Sequence, residues 1–600
     1  QNNTTANYNT AVGFESLKAN TTGTENTAVG GNSFLSNTTG SYNVGIGINS
    51  LCANTAAEGN TALGHSAMKL TTTGGDNTAL GRRALCTNTT GNNNTSIGAY
   101  NMTSNTTGVG NVAVGIQALC SNTTASNNTA VGLDSLKSNT TGANNVAVGT
   151  CTLNANTTGH SNTAVGSGTL DENTIGVRNT AVGIDSLTAN TEGDLNSAFG
   201  REALFSNTTG SRNVSIGAES LVLNTTASDN VAVGYISLRN NTTGTQNTAI
   251  GRSALNANTT ASNNTAVGYI SLQSNTTGTD NTAVGRCSGY TNTTGGCLVA
   301  VGNNALRYNT TGSHNTGIGR DSLCANTTGA DNTAVGYKAL ENNTTGYSNI
   351  SIGAYSSDGI TTGYENTVIG VSALGASTTG NTNSALGRDA FRNNTTGSKG
   401  SAFGYKALCS NTTADNNTAV GYHSLCANTT GTQNTSFGVN SMCSNTIGGY
   451  NVASGINALC SNTSGDNNTA IGKNAGRDIT TGTENLAIGV DAGRSISPFQ
   501  ITSESNRIVL GHNSITNAYI RVAWTVTSDL RDKTNFGEVP HGLDFVNKLN
   551  PVSFQFRKSR EDDTPHGAMH YGFKAQDILA LEGSNNVIID DEQPDHLKYK

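Results

Sequence analysis

The most reactive side chains of this 600-residue chain belong to eleven cysteines, and most of them follow a regular spacing. Eight fall in one 17-residue frame: Cys52, Cys86, Cys120, Cys324, Cys409, Cys426, Cys443 and Cys460. Thiols can ligate metals, but no CxxC or Cys/His spacing typical of a zinc site occurs, so no metal or cofactor is expected. The frame favours a stack of small free thiols. A disulfide-stapled surface stays open, because stacked repeats come within disulfide reach.

The cysteine frame belongs to a repeat that covers most of the chain. Glycine occupies every seventeenth residue from Gly13 to Gly489, 29 times without insertion or deletion. The unit reads N-T-A-V-G-x-x-S-L-x-x-N-T-T-G-x-x, and its leading Asn is replaced only by Leu298 and Gly400. A fixed short period over such a length indicates a solenoid or fibre rather than several globular domains. Residues 1–489 are therefore predicted to form a mostly β repeat shaft.

Seventeen residues are too few for a helical hairpin and suit one coil of a parallel β-solenoid. T-A-V-G predicts a short strand, S-L-x-x a second one, and N-T-T-G a corner whose glycine has positive φ. The invariant glycine after Val predicts a backbone position that accepts no Cβ, through positive φ or close packing of another chain. Val and Leu are expected to stack in a thin core, while stacked Asn amides satisfy each other.

Such a narrow core is marginal for a single chain, so the sequence predicts a homotrimer. Coils spaced by roughly 4.8 Å would give a rod on the order of 140 Å long. All five prolines lie at or after Pro498, which suits unbroken backbone ladders in the shaft. The N-T-A-V-G unit also resembles the S-V-A-I-G coils of trimeric autotransporter adhesin heads, which are left-handed β-rolls. Handedness, and whether three chains interweave or pack side by side, stay open.

Composition excludes several classes of function. The net charge of -7 is spread along the chain and leaves no nucleic-acid footprint. The chain has no run of eighteen apolar residues, so membrane insertion is not predicted. The repeats contain no paired carboxylates at a special site, so a glycosidase is not predicted. The variable positions carry Tyr235, Tyr269, Tyr337, Tyr405 and Tyr422, which could stack on sugar rings or be solvent-exposed variation or packing between chains.

The repeat register ends after Gly489, and the composition then changes. A transition segment, 490–527, holds a last strand-like stretch at Asn506–Gly511. Residues 528–600 contain prolines, aromatic residues and dense charge, which predict a mixed α/β module. Its predicted elements are a helix from Ser528, a helix near Gly542–Leu549, a strand at Val552–Arg557 and a helix near Ala575–Leu581.

Four ordered blocks in and just before this module carry a resemblance. They are Trp524–Lys533 (WTVTSDLRDK), Gly542–Pro551 (GLDFVNKLNP), Val552–Arg557 (VSFQFR) and Tyr571–Asp577 (YGFKAQD). Together they resemble the endosialidase-type intramolecular chaperone domain, which stands at the C-terminus of phage tail spikes, tail fibres and neck appendages. The resemblance covers about 55 residues. It implies that the module drives trimerisation and folding of the β-fibre that precedes it.

The resemblance also implies a self-cleaving Ser–Lys dyad, which that family carries in S-D-x-R-x-K. Ser528 and Lys533 occupy the matching positions, and the cut is expected between Thr527 and Ser528. A serine hydroxyl needs a base, and a lysine desolvated by trimer assembly is neutral enough to serve. The reaction would be a single turnover with no external substrate.

Two simpler interpretations of the same residues stay open. Ser528 would also cap a helix, with Asp529 in its favourable first turn, and this role is compatible with catalysis. His541, His566 and His570 offer a Ser–His pairing instead, although nothing in their spacing supports it.

These features predict an adhesive fibre of a virus, a tail fibre or appendage on the virion that binds a host-surface glycan or protein. One alternative is a cellular surface adhesin or extracellular filament with a borrowed chaperone module. Another is ice binding by Thr ladders, although adjacent Thr residues of a strand point to opposite faces. The chain starts in mid-repeat without Met and stops before the long C-terminal helix of that family, so it is expected to be truncated at both ends.

Overall fold

The computed structural model describes residues 2–519, 542–557, 563–583, 588–590 and 598–599. The chain divides into two compact units, Gln1–Asn417 and Thr418–Lys600. The boundaries that the sequence suggests at 489 and 527 stay predictions.

The first unit is a stack of 17-residue coils with one three-residue strand in each coil. Its strands run from β1 (Thr10–Val12) to β24 (Ser401–Phe403), and each begins 17 residues after the one before. Neighbouring strands are parallel and in register, so that Thr10 pairs with Thr27 and the equivalent residues of later coils follow suit. This confirms the parallel β-solenoid and its 17-residue coil.

The second unit begins with the same architecture. Strands β25 (Thr418–Val420) to β29 (Leu486–Ile488) keep the 17-residue step, and β30 (Ile508–Leu510) pairs in parallel with β29 after a longer coil of 22 residues. The strand-like stretch at Asn506–Gly511 is thereby confirmed. The five extra residues of that coil account for the end of the 17-residue register.

Backbone hydrogen bonds between coils continue far outside the strands. Leu17 N donates to Ser33 O at 3.0 Å, Thr21 N to Thr38 O at 2.9 Å, and Gly30 N to Val12 O at 2.7 Å. The ladder therefore follows strand, turn and corner alike. A proline at any of these positions would remove a donor from the ladder, which is consistent with the absence of proline from the repeats.

The S-L-x-x segment is a turn, so the predicted second strand is wrong. Glu15 and Leu17 have φ of 51° and 52°, and the equivalent residues of most later coils are also left-handed. Ser33 and Phe34, at the Ser and Leu positions of the second coil, are both fully buried. A strand would point two adjacent side chains to opposite faces. The left-handed turn turns both of them inward.

The strand interior carries Ala rather than Val, which corrects the predicted core. Ala28 and the equivalent residues of later coils are buried, whereas the Val on the same strand points outward. Thr and Val are two residues apart and share one face, so only the middle residue of each strand can enter the coil. Leu from the turn does stack inside, as predicted, and a small Ala leaves it room.

Two Asn ladders complete the interior and confirm the prediction that stacked amides satisfy each other. Asn37 Nδ2 donates to Asn20 Oδ1 of the preceding coil at 2.8 Å. Asn43 N donates to Asn26 Oδ1 at 3.1 Å, and its side chain donates to Ala57 O at 2.8 Å. Most buried amides thus find partners within the stack, which offsets the cost of burying them. Asn343 Oδ1 and Asn462 Oδ1 are exceptions, because the next coil carries Ile360 or Ile479 at the ladder position.

The two glycine positions of the repeat differ. The invariant glycine after Val has positive φ, as Gly268 does at 137°, and a Cβ there would lie 2.4 Å from Gly285 O. The close neighbour is the next coil of the same chain. The corner glycine of N-T-T-G lacks the expected positive φ. At Gly278 a Cβ would instead meet Gly295 O at 2.2 Å, so close stacking alone selects a small residue.

The C-terminal module combines short helices with antiparallel strands. Its elements are α1 (Leu543–Val546), β31 (Val552–Arg557), β32 (Pro565–Gly572), α2 (Ala575–Glu582), β33 (Ile589–Asp590) and β34 (Lys598–Tyr599). β31 pairs with β32, and β33 with β34. The predicted strand at 552–557 and the helices near 542–549 and 575–581 are confirmed. The helix predicted from Ser528 lies outside the described residues.

Candidate functional site

The predicted cleavage site and dyad cannot be placed geometrically. Thr527, Ser528 and Lys533 all lie outside the described residues, as does His541. The dyad therefore stays a prediction that rests on the resemblance of the surrounding blocks.

The other two histidines proposed for a Ser–His pairing, His566 and His570, lie on β32. His570 pairs across the sheet with Phe554, and their ring centroids are 5.7 Å apart. The ring of Phe556 meets His570 edge-on at 5.1 Å, and His566 is the cross-strand partner of Phe556. These contacts account for His570 as part of an aromatic cluster that holds β31 against β32.

The shaft presents an outward face with an unusual composition. Its residues are the first and third of each strand from β1 to β29, here called the uncharged strip. None of them is Asp, Glu, Lys or Arg, although 12% of the chain is charged. The third position is Val, Ile, Leu or Phe in every strand except β27, where it is Ser454. The strip is present in both units.

The side chains of the uncharged strip are substantially solvent-exposed in the single chain. Phe199 and Ile250 are both 39% exposed, and Phe437 is 44% exposed. A sheet with one face in water commonly carries polar residues on that face and apolar residues on the buried one. This outward face instead repeats an apolar residue in successive coils. Long exposed apolar surfaces of this kind mark interaction sites.

Charged residues occupy other columns of the coil. Arg212 and Asp229 pair at 2.6 Å from equivalent positions just before the leading Asn of adjacent coils. Lys338 and Glu341 pair at 3.0 Å across the turn that follows the strand. The chain can therefore carry charge on its outer surface, and it keeps that charge away from the uncharged strip.

Tyrosines and arginines alternate over four coils, from Tyr235 to Arg286, on the column that follows the invariant glycine. Arg252 lies between Tyr235 and Tyr269 of the adjacent coils, with its guanidinium carbon 5.9 Å and 6.0 Å from the two ring centroids. Both rings are nearly half exposed. The three residues form an outward aromatic and cationic ladder, called here the Tyr–Arg ladder.

A second group of this kind surrounds Tyr337. Arg320 and Lys338 each approach its ring centroid to 5.8 Å, and Tyr355 meets it edge-on at 5.2 Å. Partial desolvation and the neighbouring Tyr337 raise the pKa of the exposed Tyr355. The predicted surface tyrosines thus lie on the outside of the coils, next to cations that hold the rings in place.

The described residues show neither a metal site nor a membrane helix. No three His, Cys, Asp or Glu residues in that part of the chain come together as a metal cluster would require. None of its helices has the length and apolar character needed to cross a membrane.

Sequence reasoning missed the uncharged strip, although its signal is present in the repeat. Two columns separated by one small residue lack any charge over 29 copies. Side chains alternate between the two faces of a strand, so the first and third positions share one face. Comparing the uncharged columns with this alternation would have placed Val outside and Ala inside. The prediction that Val forms part of the core led away from this interpretation.

Comparison with known families supports the interpretation of the C-terminal module. Residues 528–587 match the family model described as chaperone of endosialidase. No curated protein matches the chain. The family match covers about a tenth of the chain, and the rest of the described structure is largely β-solenoid. A chaperone of this family after a β-solenoid fits a protein of the tail-fibre or tail-spike type.

Proposed function

We propose that the chain forms a homotrimeric viral tail fibre or appendage that attaches the virion to a host-cell surface. Its C-terminal module folds and aligns three chains and then cuts itself free. The observation that carries the proposal is the family match at 528–587 following a solenoid with an uncharged strip.

The regularity of the shaft creates a need for such a module. Thr21 N donates to Thr38 O at 2.9 Å, and one coil later Thr38 N donates to Thr55 O at the same distance. A shift of one whole coil between chains therefore exchanges each contact for an equivalent one. Register is weakly specified when the pattern is this uniform. A non-repeating module at one end can set it for three chains at once.

The uncharged strip supplies the contact surface for this trimer. A partner must present an equally long surface without charge, since an unpaired charge buried against the strip would cost several kcal/mol. Another copy of the same chain offers such a surface. Three copies that turn their strips toward a common axis cover the exposed Ile250 and Phe199 side chains and enlarge a core that is thin in one chain.

The proposed cleavage is an intramolecular acyl transfer followed by hydrolysis. Lys533 accepts the hydroxyl proton of Ser528, and Oγ attacks the carbonyl carbon of Thr527. The amide bond breaks as its nitrogen takes up the proton, which leaves an ester. Water then cleaves the ester, giving one chain that ends at Thr527 and another that begins at Ser528. Because assembly desolvates the lysine, the cut follows folding.

The host ligand is proposed to be a surface glycan. The Tyr–Arg ladder offers exposed aromatic faces for sugar rings and guanidinium donors for their hydroxyl groups. Ice binding is less well supported. The Thr column of the strip is interrupted by residues such as Val44 and Val112, and the adjacent column carries Phe199, which would disturb a flat ice-binding face.

The first test compares the native full-length gene with the Ser528→Ala variant. Both proteins are run on denaturing gels, heated and unheated, and their intact masses are measured. We expect a native chain that ends at Thr527, an uncut variant, and a trimer band for both in unheated samples. If neither protein is cut, Ser528 is a helix cap in a retained domain. If neither forms a trimer, the fibre proposal fails.

A further inference from the structure

Two cysteines in successive coils of the second unit bring their sulfur atoms close together. Cys443 Sγ and Cys460 Sγ are 2.6 Å apart, roughly half an ångström longer than a disulfide bond. Both side chains are half-buried on the turn side of the coil. Their backbone positions are equivalent in adjacent coils, so parallel stacking itself holds the sulfurs together.

The surroundings of this pair favour thiolate chemistry. The next residue of the same column is Arg477. The hydrogen bond from Cys460 and, more weakly, the charge of Arg477 lower the pKa of Cys443 to about 6. The same contact, together with burial, raises the pKa of Cys460. The contact therefore favours the thiolate form of Cys443 and the protonated form of Cys460.

We infer that Cys443 and Cys460 form a redox-sensitive disulfide that staples two adjacent coils near the end of the shaft. The thiolate of Cys443 attacks one sulfur of a low-molecular-mass disulfide and releases one thiolate, which gives a mixed disulfide. Cys460 loses its proton and attacks the Cys443 sulfur, and the second small thiol leaves. The protein pair, which starts as one thiolate and one thiol, loses two electrons and one proton. The small disulfide gains the two electrons and leaves as two thiolates, one of which can take up the proton.

The position of the staple gives it a structural role. It lies within about 50 residues of Gly489, where the 17-residue register ends. Coils near the end of a repeat stack open more readily than coils in its middle. A disulfide between adjacent coils restricts the opened chain, so opening becomes less favourable. It adds no contact to the surface.

Cys324 provides the matched control in the same column. Its neighbours one coil away in this column are Arg307 and Glu341, so neither adjacent coil offers a thiol at the equivalent position. Burial raises the pKa of Cys324 to about 11. At pH 7 we expect Cys443 to react with a disulfide at least tenfold faster than Cys324, because its much larger thiolate fraction outweighs its lower intrinsic nucleophilicity.

The test incubates the full-length protein with oxidised glutathione, blocks remaining thiols with iodoacetamide and maps peptides by mass spectrometry before and after reduction. We expect a reducible Cys443–Cys460 link and an alkylated Cys324. In the Cys460→Ser variant, Cys443 should stop at the mixed disulfide with glutathione. A link from Cys443 to Cys426 would overturn the assigned pair. Equal oxidation of Cys324 and Cys443, or a Cys443 that stays alkylated at every glutathione concentration, would overturn the proposal.

Discussion

The shaft and the C-terminal module achieve order in opposite ways. In the shaft, each residue has its own equivalent above and below, so one favourable contact is repeated in coil after coil. In the module, each contact occurs once, as in the cluster of Phe554, Phe556 and His570. Repetition gives a continuous hydrogen-bond ladder but no unique register. A unique aromatic cluster gives a register but little length. The comparison indicates why one chain carries both.

Removal of the module should have the largest effect. We expect a gene that ends at the codon for Thr527 to yield at least tenfold less trimer than the full-length gene, because nothing then selects the register of three repetitive chains. The covalent product is the same as the expected mature chain and differs only in its folding history. The measurement is the yield of the unheated trimer band in soluble lysate.

The control for this truncation is the uncut Ser528→Ala protein, which retains the module and should assemble fully. Equal trimer yield from the truncated and full-length genes would show that the repeats align themselves, and the contrast between the two regions would then lose its basis.

The sequence predicted the shaft well because its signals are repeated. The period, the T-A-V strand and the Asn ladders each appear in almost every coil, so chance substitutions such as Leu298 do not obscure them. The turn at S-L was not predictable in the same way. Leu17 adopts a positive φ that disfavours β-carbon-bearing residues, and only stacking against the next coil stabilises it there.

Prediction in the module depended on single elements. β31 reads V-S-F-Q-F-R, with aromatic alternation that indicates a strand, and was predicted with the right bounds. β32 reads P-H-G-A-M-H-Y-G, whose proline and two glycines argue against a strand. Its pairing with β31 and the ring contacts of His570 outweigh that weak local preference, and such tertiary contacts leave no local pattern in the sequence.

Charges introduced into the uncharged strip should disrupt the assembly of chains without unfolding the coils. We expect Ile250→Lys combined with Val267→Lys to abolish the trimer, because each assembled level would bury unpaired ammonium groups at several kcal/mol each. The coil itself should stay folded, since both side chains point outward. Analytical ultracentrifugation measures the assembly, and circular dichroism measures the β content.

Gln246→Lys is the matched control for the strip. It lies on the outer surface of the same coil, in a column where Lys399 occurs naturally, and should leave the trimer intact. A trimer that tolerates the two strip lysines as well as the control lysine would place the interface elsewhere.

The two glycine columns should respond differently to the same methyl group. A Cβ meets a backbone carbonyl at both positions, but only at Gly268 must Ala also adopt a strained φ, so Gly268→Ala is expected to cost about 3 kcal/mol locally. Gly278→Ala should cost less than about 1 kcal/mol, since φ is ordinary there and the corner column already carries Ala57, Ala125, Ala227, Ala261 and Ala414. Native-state hydrogen exchange of the surrounding coils gives the local opening energies. Equal costs would refute the role assigned to φ.

A smaller effect is expected where one coil departs from the repeat in two compensating positions. Phe34 fills the Leu position, and the usual Ala of the next coil is Gly45, whose Cβ would lie 2.4 Å from the Phe34 ring. Gly45→Ala alone should cost about 1–3 kcal/mol through overpacking. Combined with Phe34→Leu it restores the consensus, so the double variant should be more stable than the sum of the single changes implies. The double-mutant cycle is measured by hydrogen exchange of the second and third coils, and strict additivity would contradict the proposed compensation.

The smallest effect concerns the ion pairs where the register ends. Arg494 Nη1 donates to Asp491 Oδ1 at 2.7 Å and Asn474 Nδ2 donates to the same oxygen at 2.8 Å, and these contacts lower the pKa of Asp491. A lowered pKa contributes stability above the unfolded value of about 3.9 and loses it as pH falls through the folded pKa. Asp491→Asn should therefore destabilise the last regular coil by up to about 1 kcal/mol at pH 7 and by less at pH 3, measured as local opening free energies corrected for intrinsic exchange rates. Asp229→Asn, which breaks the more exposed pair with Arg212 in the middle of the stack, is the control and should change little. A loss that is the same at both pH values would show that Asp491 acts through shape rather than charge.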